Sequence, residues 1–138
     1  MRSLFVVYDP ACGLCSEVRV WMLGQAVYVP MRFVASGSPE ALHRFPMLPP
    51  GDLAVISDTG DMWLDDSAWI ICLWALREYR RLSYRLSRPL LLPLAQHAFT
   101  ALSRHRSALS RWLRLESDVD LSDRLKGVRL PTCQIKPR

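Results

Sequence analysis

The chain has 138 residues, of which half are hydrophobic and 22% are charged. This length predicts a single domain whose core needs neither disulfides nor metal, and the composition excludes a disordered or fibrous protein. The longest apolar run, Ala68 to Leu76, has nine residues, whereas a membrane-spanning helix needs about 20. No transmembrane segment is therefore predicted.

Charge is unevenly distributed along the chain. Residues 1–76 hold four arginines against eight acidic residues, a balance of −4, whereas residues 77–138 hold fourteen Lys or Arg against five acidic residues, a balance of +9. A basic half fits nucleic acid, anionic lipid or an acidic partner, or else a solvated helical face in an arginine-rich sequence. Because exposed aromatic residues are not interleaved with the arginines, we expect no nucleic acid.

The amino-terminal apolar stretch is too short for an export signal. It runs for five residues, from Leu4 to Tyr8, and Asp9-Pro10 follows it. A signal peptide has about 7–15 apolar residues and a small-residue cleavage site. We therefore expect a cytoplasmic location.

Short apolar runs alternate with helical patterns in the first half of the chain. The continuous run Ser3–Tyr8 is typical of an inner strand, and Asp58–Asp61 predicts a hairpin turn. Ser38 followed by Pro39 predicts a helix start, and Gly24 a helix end. Strands are predicted over 3–8, 31–35, 53–57 and 62–64, and helices over 16–25, 39–45 and 67–81. This β-α-β-α-β-β-α order is the layout of a thioredoxin-like domain.

The same domain is predicted to include a helical extension. It covers about residues 86–115, so the domain spans 1–115, and a longer helix or a helix pair is expected over 95–114. The residues expected to face inward are Leu94, Ala98, Leu102, Leu109, Trp112 and Leu113. Residues 116–138 lose periodicity and are predicted to form a weakly ordered tail.

Cys12 and Cys15 form the most informative motif. Their i, i+3 spacing at a helix start brings two thiols within disulfide reach, and the helix N-terminus stabilises a thiolate. Cys12, at the more exposed loop edge, is predicted to attack a substrate disulfide. Cys15, expected to be more buried, would resolve the mixed disulfide.

Two structural alternatives remain for these cysteines: a zinc half-site, or a pair of incidental reduced thiols. A closed zinc site needs four ligands. Cys72 and Cys133 are isolated from each other, and the three histidines form no pair at ligand spacing. We therefore expect no metal or dissociable cofactor, and we expect Cys72 to be a buried, inert thiol.

Asp9 lies three residues before Cys12, at the end of the first predicted strand. Its carboxylate is suited to accept the proton from Cys15 during resolution, directly or through water. It is equally suited to form the turn beside Pro10. The sequence leaves both interpretations open.

These residues carry a family resemblance. The segment Tyr8-Asp-Pro-Ala-Cys-Gly-Leu-Cys15 resembles the opening of the DCC family of predicted thiol-disulfide oxidoreductases, named for its Asp-x-x-Cys-x-x-Cys motif. The resemblance covers about residues 3–113. It continues through Met31–Val34 with Ser38-Pro39, Leu53–Asp58 with Gly60, Asp66-Ser67-Ala68, and the helix from Phe99 through Leu102 to Arg104-His105-Arg106.

The resemblance implies a thioredoxin-like fold and protein-disulfide reductase or related dithiol activity. Cys12 and Cys15 would be the redox pair, and Asp9 the third motif residue. Thioredoxin folds also place a proline directly before the third strand, facing the cysteines. Here Asp52 holds that place and Pro50 lies two residues earlier, so Pro50 is a candidate substrate contact.

Arg104 and Arg106 are further candidate substrate contacts. Their i, i+2 spacing points them to different sides of one helix. One is expected to approach the domain body, for example Asp65 or Asp66, while the other faces water. An ion pair within the fold is the alternative to a substrate contact.

The leading hypothesis is a cytoplasmic thiol-disulfide oxidoreductase whose resting dithiol acts as a reductant. Its partners would be a disulfide-containing protein or a small thiol substrate, together with an upstream reductant. The alternative is a non-catalytic thioredoxin-fold binding module whose basic C-terminal helices dock an acidic partner.

Overall fold

The computed structural model describes residues 1–126, which form a mixed α/β fold around a four-stranded sheet. The strands are β1 (Leu4–Tyr8), β2 (Met31–Ala35), β3 (Ala54–Ser57) and β4 (Met62–Leu64). The helices are α1 (Gly13–Leu23), α2 (Pro39–Arg44), α3 (Asp65–Ala75), α4 (Arg80–Leu86), α5 (Leu92–Trp112) and α6 (Asp118–Lys126). The predicted α/β class and the order of its first seven elements are confirmed. No helix within residues 1–126 combines the length and apolarity needed to span a membrane.

The strand order in the sheet is β2-β1-β3-β4, so β1 is an inner strand as predicted. β1 and β2 run parallel, from Leu4 opposite Met31 to Tyr8 opposite Ala35, and α1 supplies the crossover that parallel pairing requires. β3 pairs antiparallel with β1 and, through the predicted hairpin, with β4. Gly60 has a φ of 96° in that turn, a conformation that favours glycine.

Helices cover both faces of the sheet. Met22 of α1 packs in one core cluster with Leu4 and Val6 of β1 and with α3. Ala41 of α2 packs in a second cluster with Val34 of β2. The neighbouring positions 6 and 7 of β1 belong to different clusters because successive side chains of a strand point to opposite faces.

The helix predicted over 67–81 is divided in two. α3 ends at Ala75, and Leu76 is extended, with φ −80° and ψ 134°. Leu76 bridges to Val27, and the Arg77 N–H donates to the carbonyl of Ala26 at 2.9 Å. Pairing with a distant segment therefore interrupts a stretch whose local pattern favours a continuous helix.

Small residues form the buried face of α3. Ala68, Cys72 and Ala75 are each 0% exposed, which allows the helix to approach the sheet closely. Trp69 and Trp74 of the same helix are half-buried. The prediction that Cys72 is buried is confirmed, and burial raises the pKa of its thiol to about 12.

α5 packs against α1 and α3 with a face that shares Leu102 and Leu109 with the predicted one and otherwise differs from it. Ala95 is 5% exposed, whereas Leu94 and Trp112, both expected to face inward, are 68% and 79% exposed. Phe99 stacks on Trp69, with ring centroids 5.9 Å apart. The buried or half-buried positions are Leu92, Ala95, Phe99, Leu102, Arg106, Leu109 and Ser110, which recur every three or four residues.

Candidate functional site

Cys12 is the N-cap residue of α1, so the helix begins at Gly13, earlier than predicted. Its backbone is extended, and its sulfur accepts a hydrogen bond from the Cys15 N–H at 3.3 Å. The sulfur thus takes the place of the Ser or Asp oxygen that usually caps a helix. An N–H donor that is already directed at this sulfur favours its negatively charged form.

The pKa values of the two thiols are shifted in opposite directions. The pKa of Cys12 is lowered to about 6, mainly by a hydrogen bond from the Cys15 thiol and further by the Cys15 N–H and the Arg106 guanidinium, while burial and Asp9 oppose the shift. The pKa of Cys15 is raised, first because its thiol donates that hydrogen bond and then by burial. At neutral pH the pair therefore consists of a Cys12 thiolate and a Cys15 thiol.

The prediction that Cys12 is the more exposed cysteine is wrong. Cys12 is 6% exposed, whereas Cys15 is only half-buried. The cause is the chain that follows α5. The Leu14 N–H donates to the Ser110 hydroxyl at 2.9 Å, and a Cβ added at Gly13 would lie only 2.7 Å from the Leu115 carbonyl oxygen.

α6 also packs beside the motif. The Tyr8 hydroxyl donates to the Asp118 carboxylate at 2.6 Å, the Asp118 N–H donates to the Ser16 hydroxyl at 3.1 Å, and the Val119 N–H to the Pro10 carbonyl at 3.3 Å. Burial, with Asp118, raises the pKa of Tyr8 to about 12. The predicted weakly ordered tail thus contains a docked helix over residues 118–126, and its remainder, 127–138, lies outside the described residues.

The sequence contains a signal for the start of α6. Ser117 caps the helix by accepting from the Asp120 N–H at 3.1 Å, and the Asp120 carboxylate accepts from the Ser117 N–H at 3.2 Å. This reciprocal pair is a capping box, whose Ser-x-x-Asp spacing can be read directly from the sequence.

Asp9 takes part in both a turn and an ion pair. One carboxylate oxygen accepts from the Ala11 N–H at 2.9 Å, and the other lies 3.2 Å from the Arg106 guanidinium. Arg106 also donates to the Gly51 carbonyl at 2.7 Å. Arg106 is thus the arginine that approaches the domain body, but its partner is Asp9 rather than the expected Asp65 or Asp66.

Two cavities adjoin the motif, one at each cysteine. The Cys15 cavity has a volume of about 320 Å³, and the Cys12 cavity about 340 Å³. The lining of the Cys15 cavity includes Leu14, Asp52, Asp65, Asp66, Trp69, Arg104 and Arg106. The lining of the Cys12 cavity includes Gly13, Ser107, Ser110, Arg111, Arg114, Leu115 and Asp120.

Arg104 and Pro50, the remaining predicted substrate contacts, differ in their position relative to the Cys15 cavity. Arg104 is exposed and lines it, near Asp65, whose pKa is raised by burial and by the neighbouring carboxylates of Asp52 and Asp66. Pro50 is exposed and is not part of this lining, whereas Asp52 is. Arg104 and Arg106 therefore both line the cavity at Cys15, and Pro50 does not.

Within residues 1–126, no group of three His, Cys, Asp or Glu side chains is arranged to hold a metal ion. Cys72 lies on the buried face of α3, in the core, and Cys133 lies outside the described residues.

No family model, no curated protein and no solved structure matches this chain. Any functional conclusion therefore depends on the geometry and electrostatics of the Cys12–Cys15 motif itself.

Proposed function

We propose that this protein is a thiol-disulfide oxidoreductase of the DCC type with a thioredoxin-like fold, in which Cys12 attacks and Cys15 resolves. The observation that carries the proposal is the capping position of Cys12, whose sulfur accepts a hydrogen bond from the Cys15 N–H at 3.3 Å. In this arrangement the Cys15 thiol and its N–H lower the pKa of Cys12 to about 6, and the pKa of Cys15 is raised. The thiolate is the nucleophile in disulfide exchange, so one cysteine is activated while its partner keeps its proton until resolution.

The chain topology supports the thioredoxin-like part of the proposal. β1 and β2 pair in parallel around α1, and the β3–β4 hairpin extends the sheet beside β1. The motif lies at the junction of β1 and α1, where the carboxyl end of an inner strand meets a helix N-terminus. Ligands of open α/β sheets commonly bind at such strand ends.

Asp9 is proposed to accept the proton that Cys15 releases during resolution. Its carboxylate raises the pKa of both cysteines, so it acts on the same charges that change during the reaction. Asn at this position can keep the hydrogen bond from the Ala11 N–H. We therefore expect Asp9→Asn to leave the attack by Cys12 intact and to slow resolution, so that mixed disulfides accumulate. Asp52→Asn, which removes a carboxylate of the Cys15 cavity, serves as the control.

The decisive experiment is a redox titration of the full chain, read by alkylation and mass shift across a dithiothreitol series. We expect a reversible two-electron transition that is lost in Cys12→Ser and retained in the control Cys72→Ala. Cys15→Ser should trap a mixed disulfide on Cys12. Full disulfide reductase turnover by Cys12→Ser, or a pair that never forms a disulfide, would overturn the proposal.

The second candidate function is a non-catalytic binding module. The observation that favours it is Trp112, which is 79% exposed and follows the exposed Arg111 on α5. This corrects the expectation that no exposed aromatic residue is interleaved with the arginines. Binding of an acidic partner that weakens steeply with salt and survives Cys12→Ser would support this candidate.

A further inference from the structure

The Cys12 cavity carries positive charge beside the reactive sulfur. Arg111 and Arg114 line it, together with serine hydroxyls of α5. Both arginines are exposed, and neither forms an ion pair with a carboxylate of residues 1–126. Two guanidinium groups therefore border this cavity without an acidic partner from the described chain.

The acidic residue of the same lining is engaged elsewhere. The Asp120 carboxylate accepts hydrogen bonds from the Ser117 N–H at 3.2 Å and the Ser117 hydroxyl at 2.8 Å, so it serves the N-terminus of α6. The sequence after residue 126 contains no Asp or Glu. The balance of charged side chains in the cavity is therefore positive, which favours an anionic ligand.

Arg114 reaches this position through an unusual backbone conformation. Its φ is 54°, in the left-handed region that usually belongs to glycine at a helix end. The Leu115 N–H nevertheless closes the helix end on the Ser110 carbonyl at 2.8 Å. A long cationic side chain thus stands where glycine would avoid backbone strain, and such strain is concentrated at functional sites.

The surroundings of Cys12 limit the size of a substrate that can reach its sulfur. The cysteine is 6% exposed, and the chain at Leu115 lies directly over Gly13. The cavity volume of about 340 Å³ lies at the lower end of the range of roughly 300–1,000 Å³ for small-molecule sites. A disulfide within a folded protein would have to bring its own main chain up to this covered sulfur, whereas a small disulfide need only fill the cavity.

We propose that the substrate of the Cys12–Cys15 pair is a low-molecular-weight disulfide bearing carboxylate groups, bound in the Cys12 cavity by Arg111 and Arg114. The inference rests on the proposed thiol-disulfide exchange and adds the class of substrate. Arginine suits this role because its planar guanidinium donates two parallel hydrogen bonds to a carboxylate.

The exchange with a substrate R–S–S–R proceeds in two steps. The Cys12 thiolate attacks one sulfur, the S–S bond breaks, Cys12–S–S–R forms, and R–S⁻ leaves and takes a proton from water. Cys15 then gives its proton to Asp9, and its sulfur attacks the Cys12 sulfur. The bond between Cys12 and the R–S group breaks, the Cys12–Cys15 disulfide forms, and the second R–S⁻ leaves and takes up that proton. The dithiol loses two electrons and becomes a disulfide, while the substrate gains two electrons and becomes two R–SH. An external dithiol restores the reduced pair.

The test uses the reduced full chain and three small disulfides of different charge. Glutathione disulfide carries carboxylates, 2-hydroxyethyl disulfide is neutral, and cystamine is cationic. The rate of Cys12–Cys15 oxidation is measured by acid quench, alkylation and mass spectrometry, and each rate is divided by the rate of the same probe with dithiothreitol. We expect the normalised rates to fall from the carboxylate-bearing probe to the neutral probe and then to the cationic probe.

Charge-removing variants identify the arginines responsible. The double variant Arg111→Gln, Arg114→Gln should lower the normalised rate with glutathione disulfide about tenfold, a factor equivalent to about 1.4 kcal/mol, and should lower the rate with the neutral probe much less. The control variant Arg81→Gln, Arg88→Gln removes the same charge at exposed positions that do not line the Cys12 cavity and should have no such effect.

Three results would overturn this inference while leaving the proposed function intact: equal normalised rates for the three probes, a preference for cystamine, or a higher normalised rate with insulin than with glutathione disulfide. Failure of every disulfide to oxidise the pair would instead remove the proposed function itself.

Discussion

Replacing Gly13 by alanine would place a methyl group against the chain that covers Cys12. The new Cβ would lie 2.7 Å from the carbonyl oxygen and 3.1 Å from the Cβ of Leu115, whereas ordinary contacts begin near 3.4 Å. The shortfall to the oxygen is about 0.7 Å, and the obstructing atom belongs to the main chain. The segment after α5 must therefore shift, or α1 must tilt at its first turn.

Two effects of opposite sign determine how much stability Gly13→Ala loses. Overpacking of this kind costs about 1–3 kcal/mol, while alanine in place of glycine in a helix gains up to about 1 kcal/mol. We therefore expect Gly13→Ala to lower the free energy of unfolding by about 1–2 kcal/mol. For a domain of this length, each kcal/mol corresponds to roughly 3–5 °C in Tm.

Gly24→Ala is the matched control. Gly24 ends α1 with a φ of −81°, and its added Cβ would lie 3.5 Å from the nearest atom, the Trp21 carbonyl oxygen. Its stability should stay unchanged or rise by about 0.5 kcal/mol. Urea denaturation of the two reduced variants measures the difference, and iodoacetamide should modify Cys12 faster in Gly13→Ala because Leu115 is displaced. A Gly13→Ala protein as stable as Gly24→Ala would refute the close packing of this segment on α1.

Three further expectations concern titratable groups. Arg106→Gln should raise the pKa of Cys12, seen as a higher midpoint in the pH profile of its alkylation, because the guanidinium lowers that pKa; Arg104→Gln should not, and an unchanged midpoint in both variants would contradict the assigned role. The pKa of Tyr8 is raised from its ordinary value of 10 to about 12, so its neutral phenol contributes stability fully below pH 10, and this contribution is lost as pH rises through 12. Urea denaturation across that interval should show a smaller loss for Tyr8→Phe than for the unmodified chain, and equal losses would count against the buried phenol. Cys72 is 0% exposed and its pKa is raised to about 12; iodoacetamide at neutral pH should therefore spare it until denaturant is added, and modification as fast as that of Cys12 would show that the core is open there.

Local patterns in the sequence were sufficient for the elements that position the site. The apolar run of β1, the Ser38 cap, the β3–β4 turn and the spacing of the two cysteines each depend on neighbouring residues, and each is found in the structure. Helix-start chemistry also anticipated an activated thiol at Cys12.

The face of α5 could not be predicted from hydrophobic spacing because its inner positions include polar residues. Arg106 faces inward to reach Asp9 and the Gly51 carbonyl, and Ser110 does so to accept from the Leu14 N–H. A pattern search that expects only apolar residues on an inner face selects Leu94 and Trp112 instead. The burial of Cys12 was missed for a related reason, because the residues that cover it follow it by about a hundred positions in the chain.

Arg106 affects both the acidity of the Cys12 thiol and the attachment of α5 to the rest of the fold. The guanidinium holds α5 to the end of β1 and to the loop before β3, and it also favours the thiolate of Cys12. In the proposed redox pair, oxidation removes that negative charge, so α5 is attached less strongly in the disulfide form. Stability and reduction potential then belong to one thermodynamic cycle. A ligand that stabilises the attachment of α5 raises the reduction potential of the cysteine pair, and one that weakens this attachment lowers it. Neither ligand needs to contact the Cys12 sulfur.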